Sequence, residues 1–295
     1  MISSLIWEYQ ARENQDKILN AESPVAIRVT RILRGILQAT HRSLGLKNDF
    51  RVSVYVPRKE LQMPKLTDDD DVIGDFFEFR KKVRNYYSSH PNKRVQNRPL
   101  EVRKFGIRYG TEHLEGLNWE LMLIDDPVPN AAHLPYGRIM LYTKWLEILT
   151  DAELATVLAH EVGHGLARHP SENLLRLLLF VFFTCVLVPK VNGFGLKTAV
   201  FIGVVMVAKI IDLFITRRSE IEADQIGIML LAGAGYDPRQ APKFPEKSEK
   251  SKGSLLSSHP SGKKRAKKLR RGKVTRKAED IYDRARAGQP LEAFK

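Results

Sequence analysis

The stretch His160-Glu161-Val162-Gly163-His164 decides how this chain folds and where its chemistry lies. Residues four apart on a helix share one face, so both histidines can direct an imidazole nitrogen at one metal ion, about 2.0–2.1 Å away. Glu161 lies one step around the helix, where it can contact a water molecule held by the metal. Metals lower the pKa of such a water toward about 7, and a neighbouring carboxylate can take its proton. The pattern indicates a zinc-dependent peptide hydrolase.

The residues around this motif predict that it lies inside a helix. Thr150 and Glu153 form a capping box, in which each side chain bonds the backbone of the other residue. The following residues give the helix an apolar face to bury: Leu154, Val157, Leu158 and Val162. Gly163 and Gly165 each cost about 1 kcal/mol relative to alanine in a helix interior. We therefore expect the backbone there to approach a neighbouring element or a substrate closely.

A catalytic zinc needs a third protein ligand, and the chain offers one downstream. Glu220 and Asp224 are four residues apart and share a helix face, whereas Glu222 points elsewhere. Glu220 can complete a His-His-Glu site, and Asp224 can orient one of the histidines through a hydrogen bond. Arg217 lies on the same face as Glu220, so we expect it beside the site as well.

A third histidine ligand close to the motif is excluded by spacing. The long metzincin pattern needs a glycine three residues after the second histidine and a histidine six residues after it. Ala167 and Pro170 stand at those positions. His169 is out of register by one residue, so we interpret it as a surface or supporting histidine.

Further motifs accompany the two metal motifs in a characteristic order. They are Asn130-Ala131, Leu134-Pro135, Arg217-Arg218-Ser219-Glu220-Ile221-Glu222-Ala223-Asp224, Gly235-Tyr236-Asp237-Pro238, Ser258-His259-Pro260 and Arg265. On these residues the chain resembles the zinc metalloproteases that include the bacterial HtpX protease and the CaaX prenyl-protein proteases. Within that family it is most similar to the OMA-type metalloendopeptidases of the mitochondrial inner membrane. The resemblance covers Trp119 to Leu269, about half the chain.

The resemblance implies a role for each site residue. It implies one zinc ion per chain, held by His160, His164 and Glu220. Glu161 would be the general base, and His259 and Arg265 would contact the substrate or the tetrahedral oxyanion. Two departures bear on cleavage preference, because they lie near the expected substrate strand. Tyr136-Gly137 stands where the family usually has a glycine pair, and Lys144 stands where it usually has glycine.

The predicted fold is α+β and mainly helical, with a zincin-type helix beside a small sheet. Strands are predicted at Val52–Val56, Trp119–Ile124 and Arg138–Tyr142, and helices at Ile27–Leu46 and Asp75–Tyr87. The sheet would give an edge for main-chain pairing with a substrate, although strands that only build the core fit the sequence equally well.

Three zones are expected along the chain. They are an N-terminal mixed segment at 1–115, a zinc metallopeptidase domain at 116–280 and a C-terminal tail at 281–295. An apolar insert at about 174–215 separates the two metal motifs.

The insert contains two uncharged apolar runs, Leu177–Val188 and Thr198–Ala208. Neither reaches the roughly 18–20 residues of a spanning helix. Three alternatives stay open: a hairpin dipping into a bilayer, two short tilted spans, or two buried core helices. Membrane contact is favoured because both runs are apolar nearly all round.

The charge distribution limits the kinds of partner that the chain is expected to bind. The net charge of +14 is concentrated in Lys263–Lys277, where ten basic residues occur without an acid between them. Such a run can bind anionic lipid or form a solvated helix face. No aromatic residues interleave with it, so nucleic-acid binding is not expected. Cys185 is the only cysteine, and neither a secretory signal nor a clear mitochondrial transit peptide is evident at the N-terminus.

The sequence thus predicts a membrane-associated zinc metalloendopeptidase with polypeptide substrates. By the resemblance, these substrates are membrane or misfolded proteins, and the work is protein quality control at the mitochondrial inner membrane. A homo-oligomer stays open. The alternative is a non-catalytic membrane scaffold with a zinc-stabilised fold. Glu161 argues against a scaffold, because structural zinc sites have four protein ligands and do not need a base.

Overall fold

The structure is a computed structural model that describes residues 2–46, 50–58, 72–89, 112–114, 116–252 and 262–289. These residues are mainly helical and include one small mixed sheet. The helices are α1 (Ile2–Glu13), α2 (Pro24–Ser43), α3 (Val72–Ser89), α4 (Lys144–Ile148), α5 (Asp151–Leu166), α6 (His169–Leu187), α7 (Phe194–Gly233), α8 (Lys243–Lys252), α9 (Gly262–Arg271) and α10 (Lys273–Arg286). The strands are β1 (Arg51–Val54), β2 (Asn118–Ile124), β3 (Ala131–Leu134) and β4 (Arg138–Tyr142).

The sheet has the strand order β1-β2-β4-β3. β1 and β2 are parallel, as are β2 and β4, whereas β3 runs antiparallel to β4. The three predicted strands correspond to β1, β2 and β4, and the two predicted helices correspond to α2 and α3. β3 was not predicted, because its sequence Ala-Ala-His-Leu lacks the β-branched alternation of a strand. It forms one edge of the sheet and packs beside α5.

Helix α5 begins at the predicted capping box. The Thr150 hydroxyl accepts a hydrogen bond from the Glu153 backbone N–H, and the Glu153 carboxylate accepts one from the Thr150 N–H at 3.0 Å. The apolar face that follows is buried in the main core, and α5 packs most extensively against α7 and also against α2. The predicted helix is therefore confirmed.

Two glycines allow α5 and α7 to pack unusually closely. A Cβ added at Gly163 of α5 would lie 2.8 Å from the Ala223 carbonyl oxygen of α7. A Cβ at Gly227 of α7 would lie 3.1 Å from the backbone of His160. The expected close approach at Gly163 is therefore present, and it brings the acidic segment Glu220–Asp224 of α7 against the His160–His164 face.

The N-terminal residues pack on the same sheet and core. Arg58 pairs with the carboxylates of Glu8 on α1 and Glu120 on β2, and the Tyr55 hydroxyl donates to Glu8 at 2.8 Å. Arg138 of β4, which is buried, donates to the Ser3 carbonyl at 3.1 Å. These ion pairs and hydrogen bonds hold α1 against the sheet.

Helices α6 and α7 form the region predicted as an apolar insert. From Phe194 to Arg218 the residues of α7 are exposed or half-buried, as they are along α6 from Ser171 to Val186. Both helices are long and apolar enough to cross a membrane, judged by length and composition. The alternative of buried core helices does not hold, because large apolar side chains such as Phe182, Ile202 and Phe214 face outward.

The basic run near the C-terminus lies on two amphipathic helices. Ala266 and Leu269 of α9 and Ala278 of α10 are buried, while Lys264, Lys267 and Lys268 are exposed. The predicted tail at 281–295 begins inside α10, where Ile281 is buried in the main core. The acidic run Asp68–Asp71, whose composition suits a solvated turn, lies outside the described residues.

Replacing Gly163 with alanine tests the close helix contact. The added methyl group meets a backbone carbonyl and forces α5 and α7 apart, which costs about 1–3 kcal/mol for an overpacked core site. The gain in helix propensity, about 1 kcal/mol, offsets only part of this cost. We expect Gly163→Ala to unfold at lower denaturant concentration than the parent chain in detergent solution.

Gly203→Ala is the matched control, because a Cβ at Gly203 of α7 meets no atom within 4 Å. This variant should be as stable as the parent or more stable. Equal stability of Gly163→Ala and the parent would contradict the packing described for α5 and α7.

Candidate metal centre

Three side chains from two helices converge in a buried group. His160 and His164 of α5 and Glu220 of α7 each offer one ligand atom, and these atoms all lie within 4.8 Å of one another. The two Nε2 atoms are 3.2 Å apart. Nε2 of His160 lies 3.5 Å from Oε2 of Glu220, and Nε2 of His164 lies 3.5 Å from the other carboxylate oxygen, Oε1.

These distances test whether a zinc ion fits. Ligand atoms about 2.0–2.1 Å from a tetrahedral zinc are about 3.3–3.4 Å apart. The measured separations lie within about 0.2 Å of that value. Two imidazoles and one carboxylate are also a known donor set for catalytic zinc, which keeps a fourth position open. The group therefore fits a zinc ion in both distance and chemistry.

The electrostatics of the group favour a positive charge. Burial lowers the pKa of His160, but the neighbouring carboxylates of Asp224 and Glu220 outweigh burial and raise this pKa to about 9. The same carboxylates would stabilise a metal cation in place of that proton.

Asp224 lies on the side of the His160 ring that faces away from the ligand group. Its Oδ1 is 3.1 Å from Nδ1 of His160, so the other ring nitrogen, Nε2, faces the ligand group. Burial raises the pKa of the Asp224 carboxyl, but the hydrogen bonds from Arg265 and His160 lower it by more, and the net shift is downward. Asp224 is therefore an ionised partner for His160 at neutral pH.

Arg265 of α9 is held by two of the carboxylates at the centre. Its Nε and Nη2 atoms each donate to Asp224 at 2.7 Å, and Nη1 lies 2.8 Å from Glu220. Burial lowers the pKa of Arg265, whereas Asp224, Glu220 and Glu161 raise it to a net higher value. The resemblance implied contact with the substrate or the oxyanion. In the structure the guanidinium lies against these two acids, and the implied contact with the substrate or the oxyanion stays a prediction.

Glu161 is buried one residue from His160 and belongs to the same charged cluster as Arg265. Its position on α5 is that of the predicted general base. Glu222 was predicted not to ligate the metal. Glu222 points away from the three ligand residues, and its side chain is 60% exposed.

Arg217, which was predicted to support Glu220 from the same helix face, has an exposed side chain, and its supporting role stays a prediction. It lies one turn before Glu220, where α7 has not yet entered the core. The guanidinium that contacts Glu220 comes from Arg265 instead. His259 lies outside the described residues, so its predicted contact with the substrate stays a prediction.

The edge strand β3 lies beside the ligand helix. A Cβ at Gly165 of α5 would lie 2.8 Å from His133 Nε2, so this second glycine of the motif helix also marks a close approach. The β3–β4 connection contains Tyr136 with φ 70° and Gly137 with φ 72°. The left-handed region suits glycine but disfavours a side chain such as that of Tyr136, which stands at one of the two departures.

Sequence reasoning missed two features around the centre. One is β3 itself with His133, for which the Asn130-Ala131 motif was the available signal. The other is the buried position of His169, which was left open between a surface and a supporting role.

Comparison with known proteins finds related peptidases. Residues 102–273 match the model of peptidase family M48. The chain is similar to the mitochondrial metalloendopeptidase OMA1 of Arabidopsis thaliana, with 34% identity over 308 residues, which cover 95% of this chain and 58% of the relative. It is also similar to OMA1 of Saccharomyces cerevisiae, with 30% identity over 185 residues, which cover 58% of this chain and 51% of the relative.

The chain thus spans about half the length of these curated relatives. Among solved structures, it matches the crystal structure of S. mikatae Ste24p with a TM-score of 0.41 and 18% identity, over 68% of this chain and 58% of that chain.

The family match covers more than half of the chain and includes all the residues that meet at the centre, from the two histidines of α5 to Arg265 of α9. The chain therefore belongs to peptidase family M48.

Proposed function

We propose that this chain is a zinc-dependent metalloendopeptidase. The observation that carries the proposal is the meeting of His160, His164 and Glu220 at separations suited to one zinc ion. When bound, zinc supplies Lewis acidity that polarises the scissile carbonyl and makes water more acidic. Membership of a peptidase family supports the assignment of peptide bonds as the substrate.

The side chains of the centre have distinct roles in this proposal. Glu161 accepts the proton of the attacking water and later passes it to the leaving amine. Asp224 accepts from Nδ1–H of His160, which keeps the opposite nitrogen, Nε2, deprotonated for ligation. Arg265 fixes Asp224 and Glu220 through its three donor nitrogens.

The edge of β3 is the proposed binding strand for a polypeptide. An extended chain can add to a sheet edge through main-chain hydrogen bonds, with side-chain specificity supplied by neighbouring pockets. β3 packs against α5 and therefore holds such a chain next to the ligand helix. Tyr136 in the β3–β4 connection and Lys144 at the start of α4, just after β4, depart from the family pattern and are the proposed determinants of cleavage preference.

Membrane proteins of mitochondria are the proposed substrates. The relatives named above are mitochondrial, and α6 and α7 supply two apolar helices for membrane attachment. Along α7, Glu220 follows the end of the apolar stretch at Ile215 by five residues, about 7–8 Å of helix. The metal centre would therefore lie close to the bilayer. We extend the proposal to quality control at the inner membrane, with the exposed lysines of α9 available to anionic lipid.

A zinc-stabilised scaffold is the second candidate. It would explain the buried ligand group without any need for activity. The described group has three protein ligands, whereas structural zinc sites have four, and a buried carboxylate lies directly beside it. These two observations favour the peptidase.

The first test separates ligands from the base. We expect about one zinc per chain by metal analysis, consistent with a three-ligand catalytic site. His160→Ala and Glu220→Ala should lose the zinc, because each removes one of three ligands. Glu161→Gln should keep the zinc and lose cleavage of casein, because the amide cannot accept the proton.

Glu172→Gln, an exposed substitution on α6, serves as the control and should behave like the parent chain. Cleavage at the parental rate by Glu161→Gln would refute the mechanism. A parent chain that binds zinc but never cleaves would support the scaffold.

The second test asks what Arg265 does. Arg265→Ala removes the guanidinium from two buried carboxylates, and breaking a buried pair typically costs about 3–5 kcal/mol. Loss of such a supporting contact should also weaken zinc binding by about 10–100-fold. Arg265→Lys, which keeps the charge but not the paired hydrogen bonds, should be intermediate. Chelator competition measures the zinc affinity.

Arg270→Ala is the matched control, because Arg270 lies on the same helix and is half exposed. If Arg265→Ala keeps full zinc affinity and stability but loses kcat, the oxyanion role implied by the resemblance is right and the supporting role is wrong.

The third test concerns the membrane. Inserted apolar helices resist extraction by both alkaline carbonate and high salt, whereas attachment through exposed lysines alone is screened by salt. We expect the chain to stay in the membrane fraction under both treatments. Gln substitutions at Lys264, Lys267 and Lys268 should not release it. Recovery as a soluble monomer without detergent would contradict membrane insertion.

A further inference from the structure

His169 occupies an unusual position for the first residue of an exposed helix. It begins α6, yet its ring is buried, with 4% of the residue exposed. Its Nδ1 lies 2.9 Å from Nδ1 of His164, and the two rings meet nearly edge to face, with centroids 5.0 Å apart. Its other nitrogen, Nε2, lies 3.5 Å from a carboxylate oxygen of Glu222 on α7.

One set of tautomers satisfies all of these contacts. Nε2 of His164 faces the ligand group, so its Nδ1 carries the hydrogen and donates to Nδ1 of His169. His169 then carries its own hydrogen on Nε2, directed at the Glu222 carboxylate. Each nitrogen therefore has a defined role, and the chain of contacts ends on an anion.

From this geometry we infer that His169 and Glu222 are positioning residues for the metal ligand His164. The inference rests on the proposed zinc site. His160 is oriented by Asp224. The series of contacts from Glu222 through His169 to His164, called the relay below, does the same for the second histidine. Second partners of this kind fix the tautomer and ring orientation of a ligand, and losing one typically costs 10–100-fold in metal affinity.

The backbone explains how His169 reaches this place. On a continuous helix, a residue five positions after His164 would point about 140° away from it. The chain instead breaks after Leu166, and Arg168 adopts the left-handed conformation with φ 61°. That conformation is unfavourable for a residue with a Cβ. It turns the first residue of α6 back over the ligand helix, against His164.

The relay also joins the metal centre to both apolar helices. His169 starts α6, and Glu222 lies on α7 two residues after Glu220, on the side away from the three ligands. The orientation of His164 therefore depends on the relative placement of α6 and α7 where they leave the core.

The test measures zinc dissociation constants on the full chain in detergent by competition with a chromophoric chelator, together with the melting temperature of the metal-free protein. His169→Ala should weaken zinc binding by about 10–100-fold. His169→Asn keeps an acceptor for Nδ1–H of His164 and should recover part of the loss. Glu222→Gln should weaken binding less than His169→Ala, and the double variant should be no weaker than His169→Ala alone, since Glu222 acts through His169.

Glu78→Gln is the control, an exposed acid on α3, and should bind zinc like the parent. A lowered melting temperature with parental zinc affinity in His169→Ala would overturn the relay and leave His169 as a turn-stabilising residue. Failure of the parent chain to take up zinc would overturn the proposed function together with the relay.

Discussion

The close contact between α5 and the second half of α7 is the constraint on which the rest of the structure depends. Gly163 leaves room for the Ala223 carbonyl, and Gly227 leaves room for the backbone of His160. Without side chains at these two points, the helix axes approach closely enough for an α7 carboxylate to reach both α5 histidines. The two glycines lower helix propensity by about 2 kcal/mol in total relative to alanine. This loss accompanies the close approach that forms the centre.

Charge balance follows from this contact. Glu161, Glu220 and Asp224 are buried together with one cation, Arg265. When the histidines are neutral, as metal ligation requires, the formal charges are three negative and one positive, a net of −2. Burying uncompensated charge is expensive, so a divalent cation at the proposed site would stabilise the folded centre as well as supply its chemistry.

The sequence could predict the parts of the centre that local periodicity determines. His160, His164, Glu220 and Asp224 each lie four residues from a partner on a regular helix, and all four meet as that spacing implies. The contacts of Arg265 could not be predicted in this way, because Asp224 is 41 residues away along the chain.

Short or broken elements were equally beyond sequence reasoning. β3 has four residues and little strand character, so only its pairing with β4 defines it. The placement of His169 depends on one left-handed residue, Arg168, and such a conformation in a residue other than glycine has no clear sequence signal. In both cases the tertiary contacts determine the local structure.

Burial along α7 shows where the surroundings of the helix change. From Phe194 to Arg218 the residues are exposed or half-buried on every side, although most are apolar. From Ser219 onward, buried residues recur in pairs at helical spacing: Ser219 and Glu220, Ala223 and Asp224, Gly227 and Ile228. An apolar surface exposed all round is costly in water but suits a lipid environment, whereas one buried stripe is what a protein core requires. Because α7 is one continuous helix, the distance along its axis from the apolar segment to Glu220 is fixed. If the apolar helices insert as proposed, helix geometry would therefore set the depth of the proposed metal centre relative to the membrane, without a flexible linker.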